Sequence, residues 1–190
     1  MAWPKVGLGA VHYPVLDKGG RTVAAAITPT DLHDLARSAR TYGLEGLWII
    51  TPLKDQQKLA SRMLRFWRQG VGADYNPNRG EALELVRLVD DIKTAVAQAS
   101  REFGQRPQVW ATKARLEEGR LSFLAAGEVL RRGQAALILL GTAWGLAPEA
   151  LSLCDAVLAP IEGRDGYNHL SVRSAGAVIL DRLLARNFGD

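Results

Sequence analysis

The chain has 190 residues, 47% hydrophobic and 23% charged, with a net charge of +4. This predicts one globular domain over residues 1–190, and no apolar run reaches the roughly 18–20 residues of a membrane span. The single cysteine, Cys154, excludes an intrachain disulfide framework and predicts a reducing, cytoplasmic setting.

The first residues, Met1-Ala2-Trp3-Pro4-Lys5, lack the basic-then-apolar pattern of a secretory leader, so no signal peptide is expected. Strands are predicted at Val6–Val11, Val23–Ile27, Leu47–Thr51, Gln108–Thr112, Ala136–Gly141 and Ala156–Pro160. A first helix opens at Thr30-Asp31-Leu32 and runs to Thr41, where Gly43 stops it. An amphipathic helix follows over Asp55–Gln69. A long helix is predicted over Glu81–Phe103, from Leu85, Val89, Ile92, Val96, Ala99 and Phe103 at helical spacing. Glu118–Leu130 and Ser171–Ala185 complete the set. Strands alternating with helices predict an α/β fold with a mainly parallel sheet covered on both faces. Such sheets bind ligands at the carboxyl ends of their strands, which directs attention to the loops after Ile50, Leu140 and Leu158.

Three segments carry chemistry. Leu139-Leu140-Gly141-Thr142-Ala143-Trp144-Gly145-Leu146 is a strand entering a glycine-bracketed turn, where a ligand could approach the main chain closely. The same pattern also fits an ordinary tight turn. A long polar loop separates the strand ending at Pro160 from the helix starting at Ser171. Loops of that kind between buried elements carry function or simply face solvent. On the first helix, Asp34, Arg37 and Arg40 share one face, as a reactive group or as a solvated ion pair.

In order and spacing these segments resemble the three motifs of the SPOUT methyltransferases, whose sheet carries a C-terminal trefoil knot, one of the rare exceptions to unknotted folding. In the ribose-methylating branch the first motif is an Asn, an Arg six residues on and a Gly six further. The positions here are Asp31, Arg37 and Gly43. The second motif matches Leu140 to Gly145, without the usual acidic residue of the turn. The third, Ile-Pro, a loop and a Ser-Leu-Asn-Val-Ser helix start, corresponds to Ala159-Pro160-Ile161 and then His169-Leu170-Ser171-Val172-Arg173. The chain is still more similar to a small bacterial group of S-adenosylmethionine (SAM)-dependent RNA methyltransferases. Their segments resemble Val11-His12-Tyr13-Pro14-Val15, Asp31-Leu32-His33-Asp34 and Asn168 to Arg173.

The resemblance implies SAM as cofactor, a homodimer, and 2′-O-methylation of a tRNA ribose. Arg37 would hold a phosphate and stabilise developing charge, with Asp34 or His33 accepting the proton. The cofactor pocket would be formed by Leu140, Gly141, Thr142, Gly145, Leu158, Pro160, Ile161, Asn168, Leu170, Ser171 and Val172. Two alternatives stay open. One is a guanine-N1 type of base methylation on the same fold, for which Asp165 is a candidate. The other is a non-catalytic RNA- or nucleotide-binding module. For RNA, the residues themselves offer a stripe of Lys54, Lys58, Arg62, Arg65 and Arg68, or else a solvated helix face. His12, His33 and His169 have no metal-ligand spacing, so no metal is expected. Gly7-Leu8-Gly9 is too short to count as a dinucleotide fingerprint. Trp48, Trp67 and Trp110 read as core, and Trp144 as lid or packing. The apolar face of Ser171–Ala185 reads as core or as dimer interface.

Overall fold

The computed structural model describes residues 4–114 and 119–185. Six parallel strands form one sheet: β1 (Val6–Val11), β4 (Gly46–Ile50), β5 (Val86–Val89), β6 (Gln108–Ala111), β7 (Ala136–Gly141) and β8 (Ala156–Val157). Their order is β5-β4-β1-β7-β6-β8. A separate two-stranded hairpin pairs β2 (Val15–Leu16) with β3 (Thr22–Val23). The central strands β1 and β7 are continuously apolar because helices cover the sheet on both sides.

On one face pack α1 (Pro29–Thr41), α2 (Lys54–Gln69), α4 (Pro77–Leu83), α6 (Phe123–Arg131) and α8 (Val172–Leu184), around Leu8, Leu35, Ile49, Ile138 and Trp110. On the other lie α5 (Ile92–Phe103), the short α7 (Pro148–Leu151) and the hairpin, around Trp48, Ile50, Leu137 and Leu139. The five-residue α3 (Val71–Tyr75) joins α2 to α4. Trp48 and Trp110 are core, as predicted. Trp67 is partly buried, with the Arg79 guanidinium 4.4 Å above its ring. Among the described residues no helix is long and apolar enough to cross a membrane.

Several predicted bounds need correction. The helix predicted over Glu81–Phe103 is three elements. Its first part ends α4 at Leu83, Val86–Val89 leaves as an edge strand paired with β4, and only Ile92–Phe103 is helical. The helical spacing is real from Ile92 onward, where Ile92, Ala99 and Phe103 are buried. Before that it is coincidental, because two β-branched valines can pair with an exposed strand edge. The Asp91 carboxylate accepts from the Thr94 amide and starts a new helix. Val23–Ile27 is a strand only at Thr22–Val23. Beyond it no ladder continues: the Ala25 amide donates to the His12 carbonyl oxygen just past β1, and the Ile27 amide to the Gln56 side chain. Ala156–Pro160 stops as a strand at Val157: the Leu158 amide still reaches the Ala111 carbonyl, but the Ala159 amide turns to Leu121, outside the sheet. α6 begins at Phe123, capped by Ser122, and Glu118 lies outside the described residues. α1 begins at Pro29, one residue before Thr30, with Thr28 as its cap.

Gly7 and Gly9 make room between strands rather than at a phosphate. A Cβ on Gly7 would stand 2.5 Å from the buried Trp48 ring and 3.1 Å from Phe103. We expect Gly7→Ala to destabilise the fold by about 1–3 kcal/mol through overpacking, read as a lower urea midpoint at unchanged slope. An unchanged midpoint would mean that the ring relocates freely.

Candidate active site

Because the sheet is parallel, its strands deliver their carboxyl ends to one edge. The turn after β7, the long loop after β8 and the start of α1 meet there.

The turn is held by backbone. Gly145 has φ +102° and Ala143 φ +50°, both left-handed. A Cβ on Gly141 would collide with the Leu146 amide nitrogen and lie 2.7 Å from the Gly145 carbonyl carbon. The Thr142 hydroxyl donates to the Val11 carbonyl oxygen at 2.9 Å, so it is spent inside the fold. The Trp144 amide donates to Leu16, and the Leu16 amide to Gly145, pinning the turn to the hairpin. The Trp144 side chain is 64% exposed and packs into neither core.

The loop after β8 begins with buried Leu158 and Pro160 and half-buried Ile161, then becomes exposed. The Leu121 amide donates to Val157 and the Ala159 amide to Leu121, so the segment after β6 lies across the start of this loop. The Asn168 side-chain amide donates to the Ala114 carbonyl oxygen. Tyr167 and Leu170 are exposed, and Ser171 caps α8 by accepting from the Ser174 amide at 3.2 Å. Val172 packs partly against the core. A glycine turn held by backbone, beside a loop presenting Ile161, Leu170 and Val172, fits a flat heterocycle with a hydroxylated sugar. The carbonyls and amides would take the polar edges and the aliphatic groups the ring face.

On α1 the three expected neighbours are divided. Arg40 pairs with Glu81, and Asp34 with Arg173 at 3.2 Å. Arg37 is exposed and has no ion-pair partner among the described residues. His33 stands edge-on to Trp67, with ring centroids 5.4 Å apart, and its Nδ1 is buried without a hydrogen-bond partner. Burial, then the Arg79 charge, hold its pKa below the usual 6.5 against the opposing pull of Asp34, which favours the neutral imidazole.

The basic stripe on α2 is uneven. Arg62 and Arg65 are exposed and have no ion-pair partners among the described residues, whereas Lys54 pairs with Asp90 and Lys58 with Asp55. Arg68 departs from it. Its guanidinium donates to the carbonyl oxygens of Leu83 and Val86 and lies 3.6 Å from Glu84, closing the turn between α4 and β5.

Sequence reasoning missed two groups. Arg173 reaches back to α1, donating to Thr30 Oγ1 at 3.3 Å and Asp31 Oδ1 at 3.0 Å. The available signal was the joint departure at Asp31 and Arg173 from uncharged residues in the resembled motifs. His12, at the carboxyl end of β1, is fully buried, with Nδ1 3.1 Å from the Ala26 carbonyl oxygen and Nε2 unpartnered. Burial depresses the His12 pKa, partly offset by Asp31. Its folded pKa lies below the unfolded 6.5, so the stability it contributes is complete above pH 6.5 and is lost as pH falls through the folded value. Urea titrations between pH 7.5 and 5 should show falling stability, with a shallower slope in His12→Gln. Equal slopes would show that other groups carry the acid sensitivity. Cys154 is no nucleophile: burial, then Asp155, push its thiol up to about 11.

A family described as SAM-dependent RNA methyltransferases matches residues 5–185. The chain belongs to this family. It is 36% identical over 183 residues to an uncharacterized protein of Aquifex aeolicus, covering 96% of this chain and 89% of that one. It is 47% identical over 174 residues, 92% of its length, to a protein of Oleidesulfovibrio alaskensis named tRNA (guanine-N(1)-)-methyltransferase, but spans only 40% of that relative. Among solved structures it resembles the SpoU methyltransferase AviRb from Streptomyces viridochromogenes in complex with AdoMet. The TM-score is 0.57 at 18% identity, over 97% of this chain and 61% of that one. It also resembles the A. aeolicus TrmH/SpoU tRNA modifying enzyme, with TM-score 0.54 at 17% identity, over 95% and 74% of the two chains. The chain thus belongs to a family described as SAM-dependent RNA methyltransferases, and its α/β fold is like that of the SpoU and TrmH/SpoU structures. The predicted recognition, fold class, enzyme class and cofactor hold.

Proposed function

We propose that this chain methylates tRNA and that the acceptor is N1 of a guanine. The observation that carries the reading is the 47% identity to a protein bearing that name. The name belongs to the whole relative, of which about three-fifths lies outside the match. It supports the base-methylating alternative over the ribose reading implied by the resemblance.

SAM supplies a methyl group already activated on a sulfonium, so the chain's task is alignment, acid–base work and exclusion of water. The backbone around Leu140, Gly141 and Gly145, with Leu158, Pro160, Ile161, Leu170 and Val172, would hold the cofactor. Thr142, Asn168 and Ser171 would shape that pocket from behind. As the bond to guanine N1 forms, the proton on N1 must leave. Asp165, exposed in the loop after β8, is the proposed acceptor. Arg37 would hold the flanking phosphate, with Arg62 and Arg65 extending the contact along α2. The crossing of 119–121 over 157–159 and the Asn168 contact to Ala114 support a knotted closure around this pocket.

One observation favours the second reading, transfer to a ribose 2′-oxygen. Arg37, six residues beyond Asp31, is an exposed cation without an ion-pair partner among the described residues, of the kind that would stabilise a developing alkoxide, with His33 one turn away as a neutral base. Incubation of the purified chain with SAM and unmodified tRNA, followed by nucleoside mass spectrometry, separates them. N1-methylguanosine is expected. A 2′-O-methyl nucleoside would replace the first reading with the second, and no methylated nucleoside would reject both for this chain alone.

The homodimer is part of the proposal. In α8, Gly176, Ile179, Leu180 and Leu184 face the core, which leaves half-exposed Ala175 and Val178 for a partner copy. Sedimentation analysis checks the state.

A further inference from the structure

Arg173 has no role in either reading of the reaction, yet it ties the start of α8 to the start of α1. It sits in the first turn of α8, two residues after the Ser171 cap that ends the loop proposed to hold the cofactor. From there Nη1 donates to Thr30 Oγ1 at 3.3 Å and Asp31 Oδ1 at 3.0 Å, and Nε lies 3.2 Å from Asp34 Oδ2. Three contacts over residues 30, 31 and 34 span one turn of α1. A planar guanidinium meets them together only when the two helix starts hold one relative register.

The Asp34 arm of this pairing is exposed, but the Asp31 arm is not. The Asp31 side chain is only 10% exposed, its backbone amide donates to Thr28, and the buried His12 imidazole feels its charge from the sheet side. Behind the contact α1 and α8 pack through Gly176, where a Cβ would come within 3.0 Å of both Leu35 and Leu140. Leu140 is the last residue but one of β7, the strand that enters the glycine turn. A displacement of the α8 start therefore has a stiff route into α1, where Arg37 stands one turn beyond Asp34.

We propose that Arg173 is a positioning residue that couples the cofactor loop to α1, so that filling the loop sets the placement of Asp34 and Arg37 toward the acceptor. This rests on the reading that α1 faces the RNA. The two charged departures from the ribose-methylating motifs, Asp31 and Arg173, thereby explain each other as one ion pair between the first motif and the third.

Hydrogen exchange of the wild-type chain, Arg173→Ala and Arg173→Lys, with and without SAM, tests this. In the wild type SAM should slow exchange both in residues 161–171 and in α1. In Arg173→Ala the loop should still respond, while the SAM-dependent protection of α1 falls by about tenfold. Arg173→Lys should lie between, because an ammonium keeps the charge but lacks the planar fork whose separate nitrogens meet Asp31 and Asp34. If Arg173→Ala fails to fold, Asp34→Asn removes one exposed arm of the contact and should lose part of the same protection. Unchanged α1 protection in the variants, or an α1 that ignores SAM in the wild type, overturns the proposal. A wild type that couples in this way yet methylates no tRNA would sink the proposed function and leave the coupling standing.

Discussion

Arg37→Ala should lower kcat/KM for RNA by about 100-fold, the largest single effect on turnover expected from this chain. The reason is its isolation. Asp34 is taken by Arg173 and Arg40 by Glu81, whereas the exposed Arg37 on that face of α1 has no ion-pair partner among the described residues. Holding that charge without a partner offers the fold nothing, whereas a phosphate or a developing oxyanion would neutralise it. The split of the loss is informative. A loss confined to KM would assign Arg37 to phosphate docking, as the guanine reading requires. A loss in kcat at saturating RNA would assign it to charge stabilisation at the acceptor and favour the ribose reading. Arg37→Lys should recover a docking loss better than a catalytic one, because a point charge suffices for a phosphate. Near-normal kcat/KM in Arg37→Ala would remove Arg37 from the site.

Gly141→Ala should weaken SAM binding by about tenfold, roughly 1.4 kcal/mol, and cost about 1–3 kcal/mol of stability. The added methyl would meet the Leu146 amide and the Gly145 backbone, not a side-chain end that could swing aside. Relief would require the turn to open, and the turn is stitched to the hairpin through Leu16 and to β1 through Thr142. Calorimetric titration with SAM measures the first effect and urea denaturation the second. Lost stability with unchanged SAM affinity would show that this turn shapes the fold without touching the cofactor.

Much of the fold was legible because its central strands announce themselves. Val6–Val11 and Ala136–Gly141 are apolar runs of strand length, and both bounds agree with the structure. α2 also matched within a residue, since its buried Ala60 and Leu64 alternate with charged positions at helical period. Legibility failed where one apolar pattern served two periods. Leu85 to Phe103 reads as a continuous helical stripe, and only the open edge of β4 draws Val86–Val89 out of it. Pattern also failed to separate charges by use. Arg62 and Arg68 occupy one stripe in sequence, but Arg68 turns inward because the carbonyls of Leu83 and Val86, left unpaired at the α4–β5 turn, need donors.

By itself the sequence determined the α/β class, the parallel order of strand and helix, the glycine turn, and the motif spacing that marks an RNA methyltransferase. These depend on local period, on residues able to adopt left-handed backbone, and on separations along the chain. Only the tertiary structure decided that Asp34 is spoken for, that Thr142 spends its hydroxyl on Val11, and that Arg173 joins the third motif to the first. The Arg173–Asp31 contact spans 142 residues of sequence. The partner of a charged group is set by whatever the folded chain brings within about 3 Å of it, and no local pattern encodes that.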